Sequence, residues 1–176
     1  MSNRIAAQTN RFEIYNSDTG ERLVGAAQVQ LPNFELGGNT YSGAGSGGDM
    51  KIPTPGVMVE QIVTVTAPKA TEAVLGLCAL GERLRLDLRA DVSVVDAETK
   101  ALIPTPERWA LTGVLYKADM GSVENKAAAD QTFEMAVYVA QHWFNGRERL
   151  MWDVTNTIFR VNGRDLLAAQ RRNLGL

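Results

Sequence analysis

The chain has 176 residues, of which 45% are hydrophobic and 22% are charged, as is typical of one globular domain with a core and not of a disordered chain. The formal net charge of -2 excludes a general positive field that would attract nucleic acid. One cysteine, Cys78, and one histidine, His142, exclude an intrachain disulfide and any metal site built from cysteines or several histidines.

The N-terminal third predicts a hairpin and then a long loop. The first residues have no apolar signal region, and no window of the chain reaches about 18 consecutive apolar residues, so we expect a soluble protein without a membrane span. Residues 11–16 and 21–31 predict the two strands of a hairpin, and Pro32 ends the second strand because proline cannot donate to a ladder. A glycine-rich loop follows at about residues 33–56.

The next segment predicts a strand and then a helix. Residues 57–67 are rich in β-branched side chains and lie between Gly56 and Pro68, which predicts a strand. Apolar residues then recur at helical spacing over 68–80, and Gly81 stands where a C-cap glycine belongs. We expect Cys78 on the apolar side of this helix, as a buried thiol and not a nucleophile.

The central strands follow a two-residue period. Over residues 83–92 charged and aliphatic side chains alternate without a break, which predicts a strand with one face in the core and one that is wet or meets a partner. Pro104 and Pro106 are expected to interrupt the segment that precedes the next strand, at residues 109–118.

The C-terminal third predicts a hairpin, a short strand and a helix. Residues 131–144 and 147–154 flank Asn145-Gly146, a dipeptide typical of a type I′ turn. A strand at 157–161 precedes a helix that we expect to begin at Asn162, with Asp165 in its first turn. Together these elements predict one domain over residues 1–176, α+β but mainly β, in which antiparallel strands form a two-sheet sandwich or barrel with one flanking helix and a C-terminal helix.

The chain offers no pattern that supports catalysis. Gly43, Gly45 and Gly48 spell G-x-G-x-x-G, but prolines follow where a dinucleotide fingerprint requires a helix, and no Lys-Ser or Lys-Thr pair makes it a phosphate loop. His142 is expected to be a hydrogen-bonded structural residue of a strand. We therefore predict a protein that is not an enzyme, with no catalytic residue, no metal and no cofactor.

Two stretches resemble a known family. Residues 31–56, LPNFELGGNTYSGAGSGGDMKIPTPG, resemble the region after the first hairpin in major tail tube proteins of contractile-tailed bacteriophages, where a Leu-Pro strand end leads into a loop with G-A-G and a Val/Ile-Pro-x-x-G segment. Residues 156–176, NTIFRVNGRDLLAAQRRNLGL, resemble that family's ending more closely, through V-N-G-x-D-L-L, a basic helix and a terminal L-G-L. The likeness extends along nearly the whole chain and is only general over residues 96–130.

The resemblance implies a structural role in a virion tail. Proteins of this family form hexameric rings that stack into a hollow cylinder, assembled in the host cytoplasm around a tape-measure protein and wrapped by a contractile sheath. Baseplate and tail-terminator proteins would be further partners, DNA would pass through without specific binding, and no membrane is involved. The tube subunit of a tailocin or of another contractile injection system is the alternative, and a small-ligand-binding or enzymatic β-barrel is the rival from another class.

The resemblance also implies two sets of site residues. The long loop would reach the adjacent ring, and the expected inter-ring and subunit contacts are Tyr41, Gly43, Gly45, Gly48, Met50, Ile52, Leu174 and Leu176. Four strands would line the bore, and the lumen-facing candidates are Gln28, Gln30, Glu60, Thr64, Thr66, Thr112, Thr132 and Glu134. A face without lysine or arginine would suit a conduit, because it would not hold the phosphate backbone.

Overall fold

Antiparallel strands make up most of the computed structural model, which describes residues 4–23, 28–42, 48–68, 76, 79–122 and 130–176. The elements are β1 (Arg4–Asn16), β2 (Gln28–Gln30), β3 (Leu36–Tyr41), β4 (Met50–Met58), β5 (Ile62–Pro68), β6 (Arg83–Asp96), β7 (Leu102–Asp119), β8 (Asp130–Phe144), β9 (Arg147–Asp153), β10 (Ile158–Val161), β11 (Arg164–Asp165) and the helix α1 (Ala168–Leu174). The expectation of a mainly β, antiparallel fold with a C-terminal helix is confirmed.

One large sheet holds nine of these strands. Its order is β1-β6-β7-β8-β9-β10-β11, and β5 joins β8 while β2 joins β5. Strand β8 is the branch point, because its edge away from β7 pairs first with β5, from Asp130 to Ala136, and then with β9, from Val139 to Phe144. Strands β3 and β4 form a separate two-stranded sheet.

The core lies on one face of the large sheet. In β6 the aliphatic residues Leu84, Leu86 and Leu88 are buried, as their alternation with charged residues predicts. They pack in one cluster with Phe133 and Met135 of β8. Phe34 extends this cluster, since its ring lies edge-on to Trp152 and stacked on Phe159.

Two irregularities in the pairing of β7 with β8 change which side chains face outward. At the first, Gly113 lies so close to β8 that an added Cβ would stand 2.0 Å from the carbonyl oxygen of Ala136. At the second, the register shifts between Leu115 and Lys117, so that Lys117 pairs with Glu134. This bulge reverses the alternation expected for the strand and turns Lys117 to the outer face.

The prediction of an interrupted strand around Pro104 and Pro106 is wrong. Strand β7 runs through both prolines, which pair with Ser93 and Asp91 of β6. The carbonyl oxygen of Pro106 accepts a hydrogen bond from Asn145 on the side away from β6. Both proline nitrogens therefore point away from β6, where no donor is needed, and the ladder is preserved.

The predicted strands at 21–31 and 57–67 are shorter than expected. Residues 21–23 meet β1 through one bridge between Tyr15 and Arg22, and the paired segment further along is β2, which joins β5 and not β1. The strand expected at 57–67 is two strands, since β4 ends at Met58 and β5 begins at Ile62. The intervening residues bond elsewhere, because the amide of Val59 donates to the carbonyl oxygen of Glu35.

The helix does not begin at Asn162 as predicted. Asn162 and Gly163 have φ angles of 50° and 81° and form a tight turn between β10 and β11, and α1 starts only at Ala168. The Asn145-Gly146 turn is confirmed, with φ angles of 52° and 71°. The predicted helix at 68–80 and its Cys78 lie largely outside the described residues.

Candidate assembly surfaces

The glycine-rich segment forms a β-hairpin where the sequence predicts a loop without structure. We name β3 and β4 together the arm, residues 36–58, and call the end at Tyr41 and Met50 its tip; residues 43–47 lie outside the described part of the chain. Gly38 permits the pairing, because a Cβ at this position would stand 2.4 Å from the carbonyl oxygen of Ile52. The glycines of the arm therefore allow two backbones to approach closely.

One face of the arm is apolar and exposed. Tyr41 and Met50 are cross-strand partners, and Ile52 follows two residues later on the same side. Their exposed fractions are 56%, 55% and 48%. The opposite side carries Lys51, whose ammonium lies 3.0 Å from the carboxylate of Glu35. The arm thus presents an apolar stripe that remains about half exposed in the single chain.

The C-terminal helix α1 contacts the root of the arm. The side-chain amide of Gln170 donates to the carbonyl oxygen of Pro55 at 2.6 Å. Gly56, beside it, has a φ of 81°, and a Cβ there would overlap the Gln170 side chain. This contact joins residues 115 positions apart and fixes the second strand of the arm against the body of the protein.

Helix α1 is itself held by an ion pair. The guanidinium of Arg171 bonds the Asp165 carboxylate at 2.5 Å and the carbonyl oxygen of Thr157 at 2.8 Å. The Arg171 bond lowers the pKa of Asp165 below its ordinary value. The last residues, Leu174 and Leu176, remain 69% and 75% exposed. The end of the chain therefore adds a second uncovered apolar surface near the arm.

The outer face of the sheet brings most of the lumen candidates together. Gln30, Thr64 and Glu134 pair in one row across β2, β5 and β8. Gln28, Thr66 and Thr132 pair in the next row. Thr112 lies on the same face of β7, beyond the Gly113 irregularity, and Glu60 is an exposed residue just before β5.

This polar face carries a charge pair that the sequence pattern does not predict. The ammonium of Lys117 lies 2.5 Å from Glu134, which also accepts the Tyr116 hydroxyl at 2.6 Å. The bond from Lys117, then that from Tyr116, lowers the pKa of Glu134, while the Glu134 carboxylate raises the pKa of Tyr116 to about 12. The negative charge expected at Glu134 is therefore balanced by its neighbour.

The arginines of β6 and β7 surround one buried carboxylate. Asp87 has a side chain only 5% exposed and lies 2.8 Å from Arg89 and 2.7 Å from Arg108. Burial opposes its ionisation, but the bonds from Arg108 and Arg89 outweigh burial and lower the pKa of Asp87. The guanidinium of Arg89 also covers the ring of Tyr15 at 4.9 Å. Much of the charged face is thus bonded within the chain.

His142 is the hydrogen-bonded strand residue that the sequence predicts. Its Nε2 lies 2.8 Å from Glu107, and its ring stacks on Trp109 with centroids 4.1 Å apart. The bond with His142 lowers the pKa of Glu107. Among the described residues, no group of three or more His, Cys, Asp or Glu could hold a metal ion. No helix in the described ranges is long and apolar enough to cross a membrane.

The structure therefore places the expected contact residues on two exposed surfaces. Tyr41, Met50 and Ile52 lie on the arm, and Gly48 is exposed beside its tip, whereas Gly43 and Gly45 lie outside the described residues. Sequence reasoning did not find Gln170 or Lys117. The helical position of Gln170 carries no signal of its bond to Pro55, and Lys117 reaches the outer face only through the bulge.

Solved structures of contractile injection systems share this fold. One chain from the anti-feeding prophage baseplate matches with a TM-score of 0.51 at 10% identity, over 81% of this chain and 97% of that one. A chain from the cap that terminates the anti-feeding prophage tube matches with a TM-score of 0.51 at 12% identity, over 81% and 94%. A chain from the extended sheath-tube complex of the extracellular contractile injection system PVC has a TM-score of 0.49 at 14% identity, over 76% and 88%.

The family comparison covers almost the whole chain. The comparison with curated proteins gives no match. The family described as phage tail tube protein FII matches residues 8–175, a span that includes the arm, the branched sheet and helix α1. The resemblance seen in the two quoted stretches is thereby confirmed, and this chain belongs to the phage tail tube protein family.

Proposed function

We propose that this tube protein assembles as hexameric rings that stack into a hollow cylinder and form the conduit for DNA inside a contractile sheath. The observation that carries this proposal is the arm, whose apolar face is about half exposed at each of Tyr41, Met50 and Ile52. An apolar stripe on a projecting hairpin is stabilised when a second copy covers it. The arm would reach the adjacent ring.

The uncovered strand edges support assembly within a ring. In the described part of the chain, β2 pairs on one side only, with β5, and the edge of β1 away from β6 is met only near its end, by residues 21–23. Long unpaired edges attract other strands. Pairing such edges between neighbouring copies would continue the sheet around a closed ring and remove the exposed backbone groups.

The outer polar face would line the bore. Its uncharged rows, which contain Gln28, Gln30, Thr64, Thr66 and Thr132, offer no cation to bind phosphate. The expectation of a face without lysine is not met, because Lys117 lies on this face, with its ammonium paired with Glu134. Arg85 of β6 pairs with Thr112, and a ring in which the arginines of β6 faced the bore would contradict this assignment.

The partners are those that the family resemblance implies. A tube needs a sheath outside, a baseplate below, a terminator above and a tape-measure protein during assembly. The likeness of fold to chains from a baseplate and from a tube-terminating cap supports the baseplate and the terminator as partners at the two ends of the tube. The subunit of a tailocin or another contractile injection system is the second candidate, favoured by the same two structures.

Electron microscopy of the purified protein tests the proposal. The wild-type chain is expected to form rings or long tubes in negative stain. Deleting residues 40–49 is expected to leave folded, soluble rings or monomers and to abolish tubes, because the outer end of the arm, with Tyr41, is lost. Tubes of normal length from this deletion would contradict the role of the arm, and small featureless wild-type particles would favour the ligand-binding or enzymatic alternative.

A further inference from the structure

A cleft opens in the sheet where β8 exchanges one partner strand for another. Strand β5 begins at Ile62 and β9 ends at Asp153, so the edge of β8 near Tyr138 is bordered by residues outside both strands. The space has a volume of about 270 Å³ and is lined by Val59, Gln61, Tyr138 and Val154, among others. We name it the fork cleft.

The walls of the fork cleft are mostly apolar and exposed, with Glu60 as the one charged residue among those that line it. Val59, Tyr138 and Val154 are 46%, 45% and 52% exposed, which is high for large apolar side chains. Their backbone groups are nevertheless engaged, since the amide of Val154 donates to the carbonyl oxygen of Tyr138 at 3.1 Å. The cleft is thus bounded by hydrogen-bonded backbone, and the large apolar side chains on its walls are exposed.

A buried acceptor distinguishes this cleft from an ordinary apolar surface. Gln61 is only 2% exposed, and its amide nitrogen donates to the carbonyl oxygen of Val59 at 2.6 Å. Its backbone carbonyl accepts from Val137 at 2.9 Å. The side-chain oxygen of Gln61, however, has no hydrogen-bond partner among the residues that the structure describes. A buried acceptor without a donor destabilises a structure, so the cleft favours an apolar ligand that brings one donor.

Tyr41 on the arm combines an apolar ring with one hydrogen-bond donor, its hydroxyl group. Three tyrosines are among the large exposed apolar residues of the described chain. The hydroxyl of Tyr116 already donates to Glu134, and Tyr138 is part of the cleft wall. No described group bonds the hydroxyl of Tyr41, whose ring is 56% exposed.

The arm cannot fill the cleft of its own chain. Its root, at Met58 and Val59, forms one wall of the cleft. Tyr41 stands five residues beyond Leu36 along an extended strand, roughly 17 Å at the usual rise. An arm that fills the cleft therefore belongs to a second copy, and a contact from the outer end of one arm to the root of the next is head-to-tail, the arrangement that generates rings and filaments.

We infer that the fork cleft receives Tyr41 of a second copy of this chain, whose hydroxyl donates to the side-chain oxygen of Gln61 while Met50 and Ile52 cover Val59 and Val154. This inference rests on the proposed function and names the receiving site of the arm. Leu174 and Leu176 fit the apolar walls less well, because they bring no donor to the buried oxygen.

A double-mutant cycle tests the pairing of Tyr41 with Gln61. Tyr41→Phe removes only the hydroxyl, and Gln61→Met keeps the side-chain length without the acceptor. Tyr41→Phe is expected to raise the critical concentration for assembly by about fivefold to tenfold in the wild-type background, because Gln61 is left buried and unpaired. In the Gln61→Met background it is expected to change assembly less than about twofold. An equal effect in both backgrounds, or none in either, would overturn the inference.

Crosslinking tests the same contact without replacing Tyr41 or Gln61. Met50→Cys chains are mixed with Val154→Cys chains before assembly and then oxidised. A covalent dimer is expected, above the background of wild-type chains, which retain Cys78. Lys51→Cys, on the opposite side of the arm, is the matched control and is expected to give no dimer with Val154→Cys.

The two proposals fail in different ways. Tubes that form without the Met50–Val154 crosslink would refute the fork cleft as the receiving site and leave the tube function intact. Wild-type protein that forms neither rings nor tubes would refute the proposed function itself.

Discussion

Replacing the apolar face of the arm should separate assembly from folding. The change is a triple variant, Tyr41→Thr, Met50→Thr and Ile52→Thr, because threonine is polar and β-branched and therefore suits an exposed strand. The three residues are 56%, 55% and 48% exposed, so the folded monomer already covers about half of each side chain. We expect the free energy of unfolding to fall by about 0.5 kcal/mol for each surface substitution, or about 1.5 kcal/mol in total, which leaves the chain folded.

The effect on assembly follows from the area that a second copy would cover. Complete burial of one large apolar side chain contributes roughly 1.5–3 kcal/mol. About half of each side chain remains to be buried, which gives about 1 kcal/mol for each residue and about 3 kcal/mol for the face. Since about 1.4 kcal/mol corresponds to tenfold, the critical concentration for tube formation should rise by about 100-fold.

Sedimentation of tubes over a series of protein concentrations measures this rise, and urea unfolding of the unassembled chain checks stability. Thr40→Ala with Lys51→Ala alters the opposite side of the arm and serves as the control, with an expected change of less than about threefold because exposed ion pairs contribute little. A folded triple variant that assembles at the wild-type critical concentration would refute the assignment of this face to an interface.

Three further predictions concern the monomer. Gly113→Ala should lower the free energy of unfolding, measured in urea, by about 2–4 kcal/mol, because the added Cβ would stand 2.0 Å from a backbone oxygen. The control Gly48→Ala, whose Cβ would have no atom within 4 Å, should leave the stability unchanged. Equal effects of the two variants would disprove the close approach at Gly113. Asp87→Asn should cost about 1–2 kcal/mol at pH 7. Because the native pKa of Asp87 is lowered, the difference in stability between wild type and variant should persist down to about pH 4 and vanish as the pH falls further. A stability difference that grows in acid would contradict a lowered pKa at Asp87. Gln170→Ala removes the bond to Pro55 and should speed hydrogen exchange at the Val59 amide about fivefold with global stability unchanged; unaltered exchange would exclude helix α1 as the clamp of the arm.

The parts of the fold that sequence predicts are those with an uninterrupted local pattern. The alternation in β6 and the Asn145-Gly146 turn need only the period of a strand and the steric freedom of a turn, and both were confirmed. The same dipeptide at Asn162-Gly163 carried the signal of a second tight turn, but Asn162 was assigned to a helix start because asparagine favours both positions.

The remaining features depend on contacts that no local pattern records. Pro104 and Pro106 are tolerated in β7 only because their nitrogens face away from β6. The arm needs Gly38 where its two strands approach, and the sequence shows this only as an excess of glycine. The fork cleft arises because β8 changes partner between Ala136 and Val139, a property of the sheet and not of any segment.

The two prolines of β7 also decide where further strands can be added. Unpaired backbone amides along a strand edge can pair with another strand, but Pro104 and Pro106 have no amide hydrogen on the side of β7 away from β6. Uncontrolled stacking of chains along that border is therefore disfavoured. Strand addition between copies would therefore take place at borders that keep their amides, such as the edge of β2.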